Sequence, residues 1–388
     1  SMVGPERKLT QEEWRQQLKT WKQDGYILEQ SEWHHRHFLP LEGDRPARSS
    51  FNVVLHIKRG NSERLILKAK MLITWTRTSG DAGPVRAQRV KIEGVEILRR
   101  MGSPAFTREV VAEGVAPAIP LLVNDMDDNG YPDIVMPLHD LWYRNLGGRL
   151  QAERLFRYRP GQVTSGILGD FNGDRRLDLV VGVLDGPAQL YLANRDGRYA
   201  DRAIPLPTGR QRQASAITAG DIDGDGDLDL WVTQYKPAYV GGQMPTPYFD
   251  SNDGFPASLL ANDGTGQFTD VTVQAGLGTK RNRRTYSSSF VDLDGDDDLD
   301  LMVVSDFAGV DVYRNDGQGQ FTDISAAILP IRNTFGMAHS FGDYDLDGRL
   351  DVFVTGMSST TARRLSSMKL NRANFPQIQK MRSVMGYG

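Results

Sequence analysis

The sequence predicts a mainly β protein in two parts, a small α+β domain over residues 1–103 and a β-propeller over residues 104–388. Two repeated features of the second part carry this prediction. An acidic segment recurs five times, and each copy runs directly into apolar residues of the kind that form a buried strand. The copies begin 45–71 residues apart, and about 50 residues is the size of a four-stranded propeller blade.

The first part predicts one helix followed by four antiparallel strands. Thr10 and Glu13 have the spacing of a capping box, and Gly25 marks the end of the helix. Apolar residues recur between them at helical spacing: Trp14, Leu18 and Trp21. The strands are expected over residues 26–39, 49–60, 64–76 and 85–98, with a hairpin turn at Gly60 and Asn61. A helix on a four-stranded antiparallel sheet resembles the cystatin and NTF2-like arrangement.

Three histidines of this part, His34, His35 and His37, invite a metal interpretation, because His35 and His37 are expected to share one face of a predicted strand. Clustered, exposed histidines on an edge strand are the commoner case. The other histidines (His56, His139 and His339) have no catalytic signature around them. We expect neither a histidine metal site nor a histidine-based catalytic centre.

Each acidic segment places oxygen-bearing side chains at positions 1, 3, 5 and 9 of a loop. Carboxylates this close repel one another unless a cation lies between them, and such loops suit calcium, which takes about 6–8 oxygen ligands. Position 7 is expected to contribute its backbone carbonyl. The candidate ligands, for up to five calcium ions, are Asp125, Asp127, Asn129, Tyr131 and Asp133; Asp170, Asn172, Asp174, Arg176 and Asp178; Asp221, Asp223, Asp225, Asp227 and Asp229; Asp292, Asp294, Asp296, Asp298 and Asp300; and Asp343, Asp345, Asp347, Arg349 and Asp351.

These loops are not EF-hands. Position 12 of the copy that begins at Asp221 is Val232, where an EF-hand has a bidentate Glu, and the residues after Asp229 are β-forming. Two copies also lack the glycine that eases the turn at position 6, since Arg175 and Asp297 replace it. We expect these two loops to bind calcium most weakly.

A second element follows the acidic loop and its apolar strand in four of the repeats. It consists of a strand that ends in asparagine, a glycine-rich turn and another strand, as in "LLANDGTGQFTDVT". The anchor asparagines are Asn145, Asn194, Asn262 and Asn315. This chemistry predicts β-hairpins and completes a repeating unit of four strands.

The combined unit resembles the VCBS/FG-GAP repeats of integrin-α-like propellers. The stretches "FGDYDLDGRLDVFVT" and "NDGQGQFTDISAA" are especially similar to the bacterial relatives of cartilage acidic protein. The resemblance implies a seven-bladed propeller with calcium in its acidic loops. It also implies roles in adhesion, sugar binding or scaffolding, sometimes attached to an enzyme.

An insertion lies in the third repeat, over residues 236–258, and is rich in Pro, Gly and aromatic residues. Loops of this length inside a compact fold are usually functional or disordered. Its aromatic residues either line a binding surface at one face of the propeller or pack onto the neighbouring blade: Tyr239, Tyr248, Phe249 and Phe255.

The repeats also predict an incomplete ring. No strand–Asn–Gly element follows the fifth loop, and residues 105–113 resemble the last strand of a repeat. Seven blades would need about 350 residues, more than residues 105–388 supply. We therefore expect the strand near Phe106–Val111 to pair with a missing C-terminal part or with another copy of the chain.

These observations favour an exported, calcium-binding interaction or adhesion module without catalytic activity. The alternatives are a carbohydrate-binding propeller and the platform of an enzyme whose catalytic part is absent. Cytosolic calcium is too low to fill sites of modest affinity, so we expect an extracellular, periplasmic or cell-surface location, with the export signal removed. The expected partner is a protein or a glycan.

Nucleic acid and membrane roles are not expected. The excess of Lys and Arg in residues 1–104, 19 against 12 Asp and Glu, is spread along strands and is typical of a solvated face. No apolar stretch reaches the ~20 residues of a membrane span. The chain contains no cysteine, so disulfide and thiol chemistry are excluded.

Overall fold

The structure is a computed structural model that describes residues 8–40, 42, 46–76, 86–103, 119–195, 197–200, 202–357, 381 and 385. Residues 1–110 and residues 111–388 form two compact units, which are described separately. No helix among the described residues is both long and apolar enough to cross a membrane.

The first unit contains the predicted helix and the four predicted strands. The Thr10 hydroxyl accepts a hydrogen bond from the Glu13 N–H (3.2 Å), and the Thr10 N–H donates to the Glu13 carboxylate (2.7 Å), so the capping box is formed. The elements are α1 (Gln11–Gln23), β1 (Tyr26–Leu39), β2 (Arg48–Arg59), β3 (Glu63–Trp75) and β4 (Ala87–Met101), and the strands pair antiparallel in the order β1-β2-β3-β4. Gly60 and Asn61 lie in the β2–β3 turn, as predicted.

The register of β1 corrects the expectation that His35 and His37 share a strand face. His35 pairs with Phe51, but a register shift follows and His37 pairs with Ser50. Phe51 and Ser50 are neighbours in β2, so their side chains point to opposite faces of the sheet. The two histidines therefore lie on opposite faces.

The second unit consists of successive antiparallel sheets, which we call blades 1 to 5. Blade 1 contains β5 (Leu122–Asn124), β6 (Asp133–Met136), β7 (Leu141–Asn145) and β8 (Leu150–Arg154). Blade 2 contains β9 (Val163–Gly169), β10 (Asp178–Val183), β11 (Gln189–Tyr191) and β12 (Ile204–Pro205). Blade 3 contains β13 (Ala214–Gly220), β14 (Asp229–Gln234), β15 (Ser258–Asn262) and β16 (Phe268–Asp270). Short 3₁₀ helices cover Pro137–His139 and Val240–Gly242.

Blade 4 contains β17 (Arg284–Val291), β18 (Asp300–Asp306), β19 (Gly309–Asn315) and β20 (Phe321–Asp323), followed by α2 (Ser325–Ile328). Blade 5 contains β21 (Gly336–Gly342) and β22 (Asp351–Gly356) among the described residues. The strand predicted near residues 105–113 and most of the chain after β22 lie outside the described residues.

Apolar side chains of the second strand of each blade fill the spaces between blades. Successive residues of a strand point to opposite faces, so Leu301 and Val303 pack toward blade 3 while Met302 and Val304 pack toward blade 5. The same alternation in β10 directs Leu179 toward blade 1. Burial on both faces explains why these strands are continuous apolar runs in the sequence.

Candidate metal centre

The five acidic segments all join the first strand of a blade to the second strand. We call them loop 1 (125–133), loop 2 (170–178), loop 3 (221–229), loop 4 (292–300) and loop 5 (343–351). Position 9 of each loop is the first residue of the second strand. The loops therefore occupy the same place in every blade.

Backbone hydrogen bonds to the first aspartate curl each loop. In loop 3 the Asp221 carboxylate accepts from the N–H of Gly224 (2.8 Å) and from the N–H of Gly226 (3.0 Å). The side chain at position 5, Asp225, accepts from the N–H of Asp227 (3.0 Å). Equivalent bonds to the first position are made by Asp125, Asp170, Asp292 and Asp343. The curl brings alternate side chains to one point.

Carboxylate oxygens converge in four of the five loops, with all ligand atoms of a set within 4.8 Å of one another. The sets are Asp125, Asp127 and Asp133; Asp221, Asp223 and Asp225; Asp292, Asp294 and Asp296; and Asp343, Asp345 and Asp347. Three oxygens of one charge at this separation form the donor set of a hard cation. The residues present therefore fit calcium in loops 1, 3, 4 and 5.

The electrostatics of loops 3 and 4 support this fit. Burial is the main cause that raises the pKa of Asp223, and the nearby Asp225 carboxylate is the second. Burial and the Asp296 carboxylate likewise raise the pKa of Asp294. Because negative charge is costly here without a counter-charge, a bound cation would stabilise the ionised loops.

The aspartate at position 9 also holds the loop against the third strand of its blade. Asp229 is buried, and its two oxygens accept from the N–H of Ile222 (3.1 Å) and the N–H of Asn262 (2.8 Å). Burial raises the pKa of Asp229 to about 6, although these two backbone hydrogen bonds oppose the shift. Asp133, Asp178 and Asp300 make corresponding pairs of backbone bonds. The sequence spacing predicts the position-9 aspartate as a metal ligand but does not predict its hydrogen bonds to the loop and to the third strand.

A sequence profile described as FG-GAP-like repeat matches residues 170–232 and residues 292–354. The chain carries FG-GAP-like repeats. Each match begins at the first residue of an acidic loop, at loop 2 and at loop 4, and extends into the second strand of the following blade. The repeat and the mainly β architecture identify the second unit as a β-propeller module.

Comparison with solved structures gives a distant likeness to YCF48 from Cyanidioschyzon merolae. The two chains are 12% identical, the match covers 82% of this chain and 93% of that chain, and the TM-score is 0.34. This likeness is too remote to bear on function or on the number of blades. No curated protein matches the sequence.

Loop 2 departs from the other FG-GAP-like loops because a cationic side chain takes up one of its carboxylates. The Arg176 guanidinium lies 2.5 Å from the Asp174 carboxylate, and the Asn172 amide donates to the same oxygen (3.1 Å). Loop 2 is absent from the converging sets among the described residues. Loop 2 is the poorest fit to a cation mainly because Arg176, at position 7, occupies the Asp174 carboxylate. The replacement of glycine by Arg175 at position 6 matters less.

Loop 1 is also contacted by an arginine, but this arginine lies outside the loop. Arg144, from β7, pairs with the Asp127 carboxylate. The other oxygen of Asp127 is buried and has no hydrogen-bond donor among the described residues. A cation in loop 1 would supply the missing partner for this oxygen.

Two positions of every FG-GAP-like loop have left-handed backbone. Position 6 was foreseen from its glycines, and Arg175 (φ +63°) and Asp297 (φ +69°) adopt that conformation without one. Position 4 was not foreseen, although three of its residues are glycine. The residues at position 4 are Asp128, Gly173, Gly224, Gly295 and Leu346. Loop 3 alone has glycine at both positions, so it is the least strained.

We predict that Leu346→Gly stabilises the protein. Leu346 has φ +62° and is 87% exposed, so its side chain gains little from packing while its backbone is strained. Left-handed backbone costs a non-glycine residue about 1–2 kcal/mol, and glycine loses about 0.5–1 kcal/mol of chain entropy, which leaves a gain of up to about 1.5 kcal/mol. Urea denaturation measures the change.

The matched control is Leu350→Gly, at an exposed leucine in the same loop whose backbone is not left-handed. This change should destabilise, because glycine here adds only an entropic cost. Equal losses of stability for both variants would contradict the assignment of strain to position 4.

Anchor asparagines connect consecutive FG-GAP-like repeats. The Asn262 amide, in blade 3, donates to the carbonyl of Phe171 in loop 2 (3.0 Å) and to Leu228 (3.2 Å). The Asn315 amide, in blade 4, donates to the carbonyl of Ile222 in loop 3 (2.7 Å). Each of these hairpins therefore closes over the acidic loop of the preceding blade.

Two anchors differ from this pattern. Asn145 donates to the carbonyl of Pro132 within blade 1 (3.0 Å). In blade 2 the N–H that binds the position-9 carboxylate belongs to Ala193, so Asn194 is one residue out of register and instead closes its own turn with Arg198. Sequence alignment by Asn and Gly alone did not resolve this shift.

The aromatic residues of the insertion mostly pack inward. Tyr248 contacts Phe249 (ring centroids 5.0 Å apart) and Phe307 of the β18–β19 turn (5.2 Å). Phe255 lies under the guanidinium of Arg212 (5.6 Å). Tyr239 remains 52% exposed, with its hydroxyl 3.1 Å from that of Tyr248. Of the two interpretations left open by the sequence, packing onto the next blade describes Tyr248 and Phe249.

Ion pairs fix the insertion to blade 4. Arg283 is 4% exposed; its Nε lies 2.8 Å from the buried Asp311 carboxylate, and its Nη1 donates to the carbonyl of Ser251 in the insertion (2.8 Å). Arg332 pairs with Asp250 of the insertion (3.0 Å). A cleft of about 480 Å³ beside these groups is lined by Pro247, Tyr248, Phe249, Asp250, Arg332, Asn333 and Met381.

Proposed function

We propose that the chain is a calcium-binding β-propeller that acts outside the cytosol as a non-catalytic interaction module. The observation that carries the proposal is the convergence of three carboxylates in each of loops 1, 3, 4 and 5. The resemblance of the repeats to those of integrin-α-like and cartilage-acidic-protein-like propellers supports the same role. Sites of this kind in extracellular modules bind calcium with Kd of about 10⁻⁴–10⁻³ M, which exceeds free cytosolic calcium.

The ions in this proposal are structural. Each ion would relieve the charge repulsion among the aspartates of its loop. It would also fix the turn between the first two strands of its blade. Because Asn262 and Asn315 bind the loops of the preceding blades, a fixed loop would also position the next hairpin. Rigid loops at one end of successive blades form a surface suited to binding a protein partner.

A half-buried histidine connects blades 4 and 5. The ring nitrogens of His339 lie 2.9 Å from the Ser287 hydroxyl and 2.8 Å from the Ser289 hydroxyl, and burial lowers the pKa of His339. We assign this cluster a structural role, because it joins the first strands of two neighbouring blades.

Isothermal titration calorimetry with calcium tests the proposal. We expect about four ions per chain, since Arg176 occupies loop 2, and a loss of one in the variant Asp223→Asn/Asp225→Asn. Asp185→Asn is the control, because Asp185 is an exposed acid outside the loops that pairs with Arg210. No calcium-specific heat in the unsubstituted protein would contradict the proposal, as would equal stoichiometry in the loop 3 variant.

A second candidate function is the binding of a glycan in the cleft beside the insertion. Its walls combine the aromatic rings of Tyr248 and Phe249 with the polar side chains of Asp250 and Asn333, a combination that suits sugars. A glycan array with and without calcium is the test, with Tyr248→Ala as the variant and Tyr158→Ala, an exposed tyrosine elsewhere, as the control. Binding that Tyr248→Ala leaves unchanged would remove this candidate.

A further inference from the structure

The N-terminal sheet has an apolar face whose edge strands are exposed, although Val53 at its centre is buried (3% exposed). Directly paired residues form apolar rows across its strands: Phe51–Met71–Ile92 and Leu55–Leu67–Ile97. Large side chains on this face, at both edge strands, are 45–58% exposed: Leu28, Trp33, Phe38, Val90, Ile92 and Ile97. We call these six residues and the two rows the apolar face. Soluble monomers rarely expose contiguous apolar patches beyond a few hundred Å².

Helix α1 has a matching apolar stripe that is exposed as well. Trp14, Leu18 and Trp21 lie on one side of the helix, at spacing i, i+4, i+7, and are 40%, 45% and 41% exposed. No residue of α1 is buried. The predicted packing of the helix on its own sheet is thus not extensive among the described residues, and α1 lies mainly against the edge strand β1.

The connection between α1 and β1 explains why the helix does not fold back. Only Asp24 and Gly25 separate the two elements. Gly25 has φ +86°, and its N–H and that of Asp24 close the helix end on Lys22 and Thr20. Arg59 then donates to the carbonyl of Asp24 (2.9 Å). A short connection constrained in this way hinders the packing of helix α1 on its own sheet. It therefore favours the exchange of the helix with a second copy.

We propose that the protein forms a two-fold dimer in which helix α1 of each copy packs its Trp14–Leu18–Trp21 stripe on the apolar face of the partner. Both halves of the contact are present in one chain, and an isologous pair uses each of them twice. A helix on an antiparallel sheet is a stable two-layer arrangement, which the described residues of one copy do not complete and the dimer would.

Size and charge both suit this occupant. Aromatic side chains bury about 150–250 Å² each, and those of the stripe are 40–41% exposed, so two reciprocal contacts would bury on the order of 1,000 Å², which is the lower limit of specific interfaces. Arg99, at the rim of the face, is already paired with Glu63 (2.8 Å). A face whose rim charges are already paired suits an apolar partner, and the α1 stripe is one.

Disulfide trapping in the full-length protein tests the exchange, because the chain has no cysteine of its own. Chains with Leu18→Cys are mixed with differently tagged chains that carry Ile92→Cys or Leu67→Cys, and are then oxidised. We expect a covalent heterodimer that neither variant forms alone. Light scattering of the unsubstituted protein should give twice the chain mass of 43.3 kDa.

Three results would overturn the proposal. The first is a monomer at tens of micromolar by light scattering. The second is a disulfide that forms only within a chain carrying both Leu18→Cys and Ile92→Cys, which would place the helix on its own sheet. The third is a homodimer of Ile92→Cys chains without the mixed product, which would indicate sheet-to-sheet contact. Trp14→Gln/Leu18→Gln/Trp21→Gln should give a monomer with unchanged far-UV circular dichroism, and a dimer of that variant would also contradict the proposal.

Discussion

Removing calcium with EDTA should lower the melting temperature of the propeller unit by at least about 5 °C. An ion that binds only the folded state stabilises it by about 1.4 kcal/mol at ten times its Kd, and about 1 kcal/mol corresponds to roughly 2–4 °C in a unit of this size. Four loops have converging carboxylates, so the full loss should exceed that of one site. Differential scanning calorimetry with and without chelator measures it.

Variants separate this effect from general screening of charge. Asp225→Ala should reproduce part of the loss in calcium and should reduce the further effect of EDTA. Asp185→Ala removes an exposed acid outside the loops and should change neither. The transition of the N-terminal unit should stay in place, because its described residues contain no converging acidic set. Identical scans with and without EDTA would mean that the loops are only acidic turns.

Asp311→Ala should destabilise the propeller by about 3 kcal/mol, the lower end of the usual cost of breaking a buried ion pair. The Asp311 carboxylate is fully buried and is shared by Arg283 (2.8 Å) and Lys280 (2.7 Å). With it removed, Arg283, which is 4% exposed, would keep only the more exposed Asp250 (2.8 Å) as its ionic partner. Chemical denaturation at pH 7 gives the free energy of unfolding.

An exposed ion pair supplies the control. Asp185 and Arg210 lie 2.5 Å apart with side chains 56% and 74% exposed, and Asp185→Ala should leave the free energy of unfolding almost unchanged, because solvent screens the pair. The double variant Arg283→Met/Asp311→Leu should recover most of the loss, because it removes both buried charges together. A loss for Asp311→Ala as small as that of the control would show that solvent reaches Arg283.

The strands and the loops were predictable because both depend on local spacing. Leu301, Met302, Val303 and Val304 form a continuous apolar run that predicts a strand buried on both sides, and the structure places it so. The carboxylates of Asp221, Asp223 and Asp225 converge because backbone hydrogen bonds within nine residues curl the chain. The match to FG-GAP-like repeats confirms the repeat.

Contacts that depend on distant residues were not predictable from spacing. Arg144 comes from the third strand of blade 1 to pair with Asp127, and no feature of loop 1 indicates it. Arg176 belongs to loop 2, but its choice of Asp174 depends on a rotamer that sequence does not specify. Likewise, the spacing of Trp14, Leu18 and Trp21 predicts an apolar stripe but not the surface that covers it.

The hydrogen bonds from Asn262 and Asn315 to the acidic loops of the preceding blades have a consequence for synthesis on the ribosome. Phe171 and Asn262 are 91 residues apart, and Ile222 and Asn315 are 93 residues apart. At about 5–20 residues per second, an acidic loop would wait roughly 5–20 s after emerging before the hairpin that covers it exists. Each nascent blade therefore passes through an interval in which its acidic loop is not yet covered by the next hairpin. Because the chain emerges from its N-terminus, these contacts would form in sequence, from blade 2 onward.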